Sequence, residues 1–251
     1  MIVVRILLNG LIMAAELAAV LAVAYLGYTQ PFLFAAGTAG LAVVLGLRLE
    51  IARLRHELPF YFEGARAPRF ILVPLVGSVE ALMKGVLAGL AALFTFAGTD
   101  SDRLFWVAVV FAIVTYAGAS ILRGLSVSFR AEPCRWGFFR LGPPLGLAFS
   151  AGMTALIGLG LMTSPSVSEI GWRLVWELPE RPSISQVSEL FFQIKQAFDD
   201  FVVMLLSQVM SREWARVAAI AVSVNVLTGF VASLYATVIA AVVRAAEERL
   251  P

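Results

Sequence analysis

The chain has 251 residues, of which 60% are hydrophobic and 14% are charged, and its formal net charge is +2. Its mean hydropathy is +0.89. These values exclude an ordinary soluble domain, and the small net charge gives no reason to expect nucleic acid as a partner.

Six stretches are long and apolar enough to cross a hydrocarbon core about 30 Å thick as helices. We therefore predict an all-α polytopic membrane protein with six transmembrane helices, forming a single integral membrane domain over residues 1–251. The first stretch is interpreted as a span and not as a signal peptide, because its apolar part is long and Glu16 interrupts it. The predicted spans are Ile6 to Tyr25, Pro31 to Leu47, Phe70 to Ala97, Leu104 to Leu122, Pro143 to Met162 and Val217 to Val243.

The arginines predict the orientation, because short loops rich in basic residues stay in the cytoplasm. The connection after span two and the connection after span four are rich in arginine, whereas the connections after spans one and three carry almost none. Both termini are therefore predicted to be cytoplasmic. Together with the alanine-rich and arginine-rich composition, this pattern favours a bacterial inner membrane.

Ionisable residues interrupt two of the spans. Span one contains Asn9 and Glu16 on one helical face, and span three contains Glu80 and Lys84 at a spacing of four. Exposing such charges to lipid is costly, so they should face the bundle interior. We predict one polar cluster of Glu16, Glu80 and Lys84, joined by Asn9 and by Asn225 of span six, which is either a transport site or a bridge that only fixes helix packing.

Small residues accompany these polar groups and predict close helix contacts. One stripe lies beside Glu80 and Lys84 in span three, and a second follows Asn225 in span six. The residues predicted to mediate packing are Gly77, Gly85, Gly89, Gly229 and Ser233.

The fifth connection is long, and residues 164–213 are predicted to form an extracytoplasmic amphipathic segment. A short interfacial helix is expected to begin at Ser166, and a second helix is expected to begin at Ser183, where Gln186 completes a capping box, and to end near Met210. The second helix carries an apolar stripe that could cover the bundle, lie on the bilayer or contact another subunit. Its candidate interface residues are Ile184, Val187, Phe191, Ile194, Phe198 and Phe201.

Absent motifs argue against an enzyme. His56 is the only histidine and Cys134 the only cysteine, and there is no glycine-rich phosphate loop. We predict no metal site, no cofactor and no catalytic residue. The expected partners are membrane lipids and either other membrane subunits or further copies of the chain.

Two functions remain open. One is a transport component that moves an ion or a small solute by proton or ion coupling through the buried cluster, as part of a larger complex. The alternative is a non-catalytic accessory or assembly subunit of a respiratory, photosynthetic or transport complex, in which the cluster is structural.

Overall fold

A computed structural model describes residues 2–61, 69–162, 182–211, 214–215, 218–219 and 222–248. All regular secondary structure in these ranges is helical, which confirms the predicted all-α class. The helices named below are α1 (Ile2–Thr29), α2 (Pro31–Tyr61), α3 (Arg69–Thr95), α4 (Ser101–Phe129), α5 (Pro133–Arg140), α6 (Gly142–Gly158), α7 (Ile184–Val209) and α8 (Asn225–Glu247).

Five helices of the described part are long and apolar enough to cross a membrane, which identifies a multi-pass membrane protein. They belong to α1, α2, α3, α4 and α8. Large apolar side chains such as Leu11, Leu21, Leu82 and Ile113 are exposed on their outer surfaces, as expected of helices that contact lipid. Six crossings and their orientation stay predictions.

The predicted fifth span, Pro143 to Met162, corresponds to α6 alone, and a further short helix, α5, precedes it in the connection predicted after span four. α6 has only 17 residues, about 25 Å, and α5 precedes it with a break at Leu141. Arg244 donates to the carbonyl oxygen of Ala131, and a Cβ added at Gly137 or at Gly146 would overlap Thr237 or Val226, respectively. As the residue number rises along α5 and α6, the contacted residue number on α8 falls. Together the two short helices therefore run antiparallel to α8 over most of its length.

The centre of the bundle is formed by α8 and an aromatic group beside it. Phe34, Phe96 and Phe111 are fully buried and meet edge to face, and Tyr235 of α8 stacks on Phe34 at 5.3 Å. Hydroxyl groups connect the helices as well, with 2.9 Å between Thr38 and Tyr235 and between Thr95 and Thr228. These contacts fix α2 and α3 against α8.

α2 and α3 form the most extensive helix pair, because small residues allow their backbones to approach. A side chain at Gly85 would overlap Val43 and would lie 3.0 Å from the carbonyl oxygen of Ala39. Gly89 and Gly77 face Ala39 and Ile51 in the same way. The stripe predicted in span three is thus a helix contact surface.

α7 lies at the end of the bundle where α3 ends. The capping box predicted at its start is present, since Ser183 accepts from the Gln186 amide at 3.3 Å and the Gln186 side chain accepts from the Ser183 amide at 2.8 Å. The helix ends at Val209, followed by Met210 as its C-cap. The shorter helix expected to begin at Ser166 lies outside the described residues.

Candidate functional site

Glu16 is the most deeply buried carboxylate of the membrane-spanning helices that the structure describes. It lies in the middle of α1, is 2% exposed and faces α4, where its Oε2 lies 3.8 Å from an Nη atom of Arg123. Its other oxygen, Oε1, has no hydrogen-bond partner among the described residues. Such an atom is costly in apolar surroundings unless the group is protonated or meets a ligand.

Arg123 is held mainly by a second carboxylate. Its Nε and Nη2 atoms donate to the same oxygen of Glu247 at 3.0 Å and 2.6 Å. Glu247 is the last residue of α8, and Arg123 lies six residues before Phe129, the end of α4. Glu16 therefore lies level with the ends of α4 and α8, and the guanidinium that it faces is already engaged.

These three side chains line a cavity that we call the Glu16 cleft. It has a volume of about 680 Å³ and opens on the outside of the bundle between α1 and α4. Asn9, seven residues before Glu16, lies on the same wall, as the helical period predicts. The other lining residues are Leu8, Ile12, Met13, Tyr116, Ser120, Gly124, Val127 and Ser128. The cleft thus has a mixed lining, in which seven of the twelve residues carry polar or charged side chains.

A second set of charges joins α2 to α3, and we call it the α2–α3 charge network. Arg53 contacts Glu80 at 2.8 Å, Glu50 at 3.0 Å and Glu57 at 3.3 Å. Lys84 donates to the other oxygen of Glu50, a residue that is 3% exposed. Each of these carboxylates therefore has a cationic partner.

The predicted single cluster is divided between these two places. Glu80 and Lys84 belong to the α2–α3 charge network, whereas Glu16 and Asn9 line the Glu16 cleft. Asn225 is the first residue of α8 and Glu247 the last, so about 35 Å of helix separates Asn225 from the cleft. The prediction of one cluster was wrong because the helical period shows which residues of one helix share a face, but not which helices meet.

The remaining residues predicted to mediate packing or to form an interface lie on α8 and α7. The backbones of Gly229 and of Gly142 and Gly146 are in contact, so a Cβ at Gly229 would overlap α6. Ser233 is fully buried and donates to the carbonyl oxygen of Phe230 at 2.9 Å. On α7, Val187 and Phe191 are half-buried, whereas the remaining four candidate interface residues are exposed, namely Ile184, Ile194, Phe198 and Phe201.

Sequence reasoning missed five charged residues of these two sites, namely Glu50, Arg53, Glu57, Arg123 and Glu247. The arginines were interpreted as markers of the cytoplasmic side, and the glutamates lay beyond the predicted ends of their spans. A usable signal existed in α2, where Glu50, Arg53 and Glu57 follow the helical spacing of three and four that favours ion pairs. Nothing in the sequence connects Arg123 with Glu16, because that contact is tertiary.

Comparisons with models of known families, with curated proteins and with solved structures find no match for this chain. What the site does must therefore be argued from its own geometry.

Proposed function

We propose that the protein is a component of a membrane transport system in which the Glu16 cleft takes up and releases a proton or another small cation while a solute crosses. It would act, without enzymatic activity of its own, as a multi-pass protein of a bacterial inner membrane. One observation carries the proposal: Glu16 is 2% exposed and has an oxygen without a partner among the described residues, yet it lines an open cleft.

The charges of the cleft support this function. If all three groups are ionised, the two carboxylates of Glu16 and Glu247 outweigh Arg123 by one negative charge. Because Arg123 is bound by Glu247, a proton or cation at Glu16 would neutralise the excess. The cleft then has two states that differ by one charge, which is the minimum that ion coupling requires.

Proton movement tests the proposal directly. The purified protein is reconstituted into liposomes that contain the pH indicator pyranine, with potassium and valinomycin to hold the membrane potential. We expect an external pH step to equilibrate faster than in empty liposomes, and Glu16→Gln to abolish the difference. Glu80→Gln is the matched control and should keep the flux, because Glu80 belongs to the α2–α3 charge network.

A second measurement covers the case in which the proton moves only together with a solute. Infrared difference spectra between acidic and alkaline pH should contain a band of a buried carboxylic acid that Glu16→Gln removes and Glu80→Gln does not. The proposal fails if no Glu16-dependent band and no Glu16-dependent flux are found.

The accessory-subunit function is favoured by a different observation. Ser120, Gly124 and Ser128 lie four residues apart on the exposed side of α4, within the Glu16 cleft, and small residues at this spacing allow a helix of another protein to approach closely. Native mass measurement after gentle extraction distinguishes the two functions. A stoichiometric partner that Gly124→Leu releases would support an accessory role, whereas a monomer or a pure homo-oligomer would count against it.

A further inference from the structure

α7 is attached to the bundle by several polar groups, and Phe191 also packs edge to face on Phe94 at 5.5 Å. Ser188, Lys195 and Val202, seven residues apart, are its buried positions. Ser188 Oγ accepts from the Gly98 amide at 3.0 Å, and Lys195 Nζ donates to the carbonyl oxygen of Phe94 at 3.3 Å. One turn later, Asp199 accepts from the Val224 amide at 2.9 Å.

These contacts show how α7 is oriented. Gly98 lies between α3 and α4, Phe94 is in the last turn of α3, and Val224 precedes the first residue of α8. Along about 16 Å of α7, its partners therefore change from the end of one span to the beginning of another. The helix lies across the ends of the spans, at the level where they leave the apolar layer.

The apolar side of α7 has no cover among the described residues. We define the α7 apolar stripe as Ile194, Phe198, Phe201 and Leu205, whose exposures lie between 44% and 51%. At 100° per residue the stripe is centred about a quarter turn from the buried side. Gln186, Gln193 and Asp200 lie on the remaining side, more than a quarter turn from both, together with Met204, which is 51% exposed.

We infer that α7 is an interfacial helix whose apolar stripe rests on the acyl chains of the bilayer. A helix at the edge of a bundle, lying along the membrane surface, has protein on one side, lipid on the next and water on the third. The three sides of α7 follow this order. The spans also expose large apolar side chains on their outer surfaces, and α7 lies at the level where the spans end.

Spin labels can test this placement, because Cys134 is the only cysteine. In a Cys134→Ser background, single cysteines replace Phe198, Phe201 or Leu205 of the stripe, Gln186 or Gln193 of the polar side, and Val202 of the buried side. Each variant is labelled with a nitroxide and reconstituted into phosphatidylcholine and phosphatidylglycerol vesicles. Power saturation then measures the collision rate with oxygen, which concentrates in lipid, and with a water-soluble nickel chelate.

We expect the ratio of oxygen to nickel collisions to be several-fold higher at all three stripe positions than at Gln186 and Gln193. Val202 should be shielded from both reagents. Two results would overturn the inference. A nickel collision rate at the stripe equal to that at Gln193 would mean that water covers it. Shielding of the stripe from both reagents would mean a protein cover, and distance measurements between labels would then show whether a second copy provides it.

Discussion

The α2–α3 charge network and the Glu16 cleft are both charged sites on apolar helices, but they satisfy their charges differently. In the network, Arg53 and Lys84 contact every carboxylate, and glycine contacts close the helix pair around them. In the cleft, Glu16 approaches its guanidinium only to 3.8 Å, and its other oxygen is left without a partner among the described residues. Charge on a membrane helix can therefore be fully used in helix packing, and the two sites differ in how closely their buried carboxylates are paired.

The largest effect is expected at the helix contact that encloses the network. Gly85→Leu should prevent close approach of α2 and α3, because its side chain would overlap Val43 and crowd the carbonyl oxygen of Ala39. Overpacking of this kind costs about 3 kcal/mol or more. Gly40→Leu on α2 is the control, since nothing lies within 4 Å of a Cβ there. Fluorescence-detected size exclusion after heating should show a large loss for Gly85→Leu only.

Breaking one ion pair of the network should have the next largest effect. Glu50→Gln removes the carboxylate that accepts from the Lys84 ammonium, and loss of one member of a buried pair costs about 3 kcal/mol. The double variant Glu50→Gln/Lys84→Met should recover most of this loss, because both members of the pair are then uncharged. Thermal unfolding of the two single variants and the double variant gives the coupling. Additive losses would mean that the network is not the closed unit described here.

Lys195 on α7, outside the spans, is expected to make the stability of the protein depend on pH. Burial, and secondarily the nearby Arg103, lowers the pKa of Lys195 to about 8, although Asp199 partly opposes this. Below pH 8 the folded and unfolded chains both bind the proton, so the cost of burying the charge is present in full. Between about pH 8 and 10.5 only the unfolded chain keeps it, so the stability should rise with pH, by on the order of 2 kcal/mol.

Unfolding midpoints measured from pH 8 to pH 10.5 test this dependence. Lys195→Met should be more stable than the wild type at pH 8, and the difference should vanish near pH 10.5. Lys84→Met is the control for removing a lysine that has a carboxylate partner. If the stability difference between Lys195→Met and the wild type is the same at every pH, burial of the Lys195 ammonium does not destabilise the folded chain.

The sequence predicts where helices begin and end far better than it predicts which groups they pack against. Apolar length identifies the five long spans, and capping chemistry places the start of α7 at Ser183, because both signals are local. The start of α6 was predicted within one residue, since Gly142 and Pro143 suit the beginning of a span, whereas the short helix α5 before it was missed. The inward side of α7 was also missed. A buried side is normally apolar, but Ser188, Lys195 and Asp199 find partners in the exposed backbone where the spans end.

The smallest effect on stability is expected at Glu16 itself. Glu16→Gln keeps the shape of the side chain and removes a charge whose only cationic contact in the described structure is a 3.8 Å approach to Arg123. The thermal stability should therefore stay within about 1 kcal/mol of the wild type or increase slightly, whereas Glu50→Gln is destabilising. Loss of flux without loss of stability would assign Glu16 to function. If Glu16→Gln and Glu50→Gln lower the stability equally, Glu16 serves helix packing as Glu50 does, and the two sites do not differ in role.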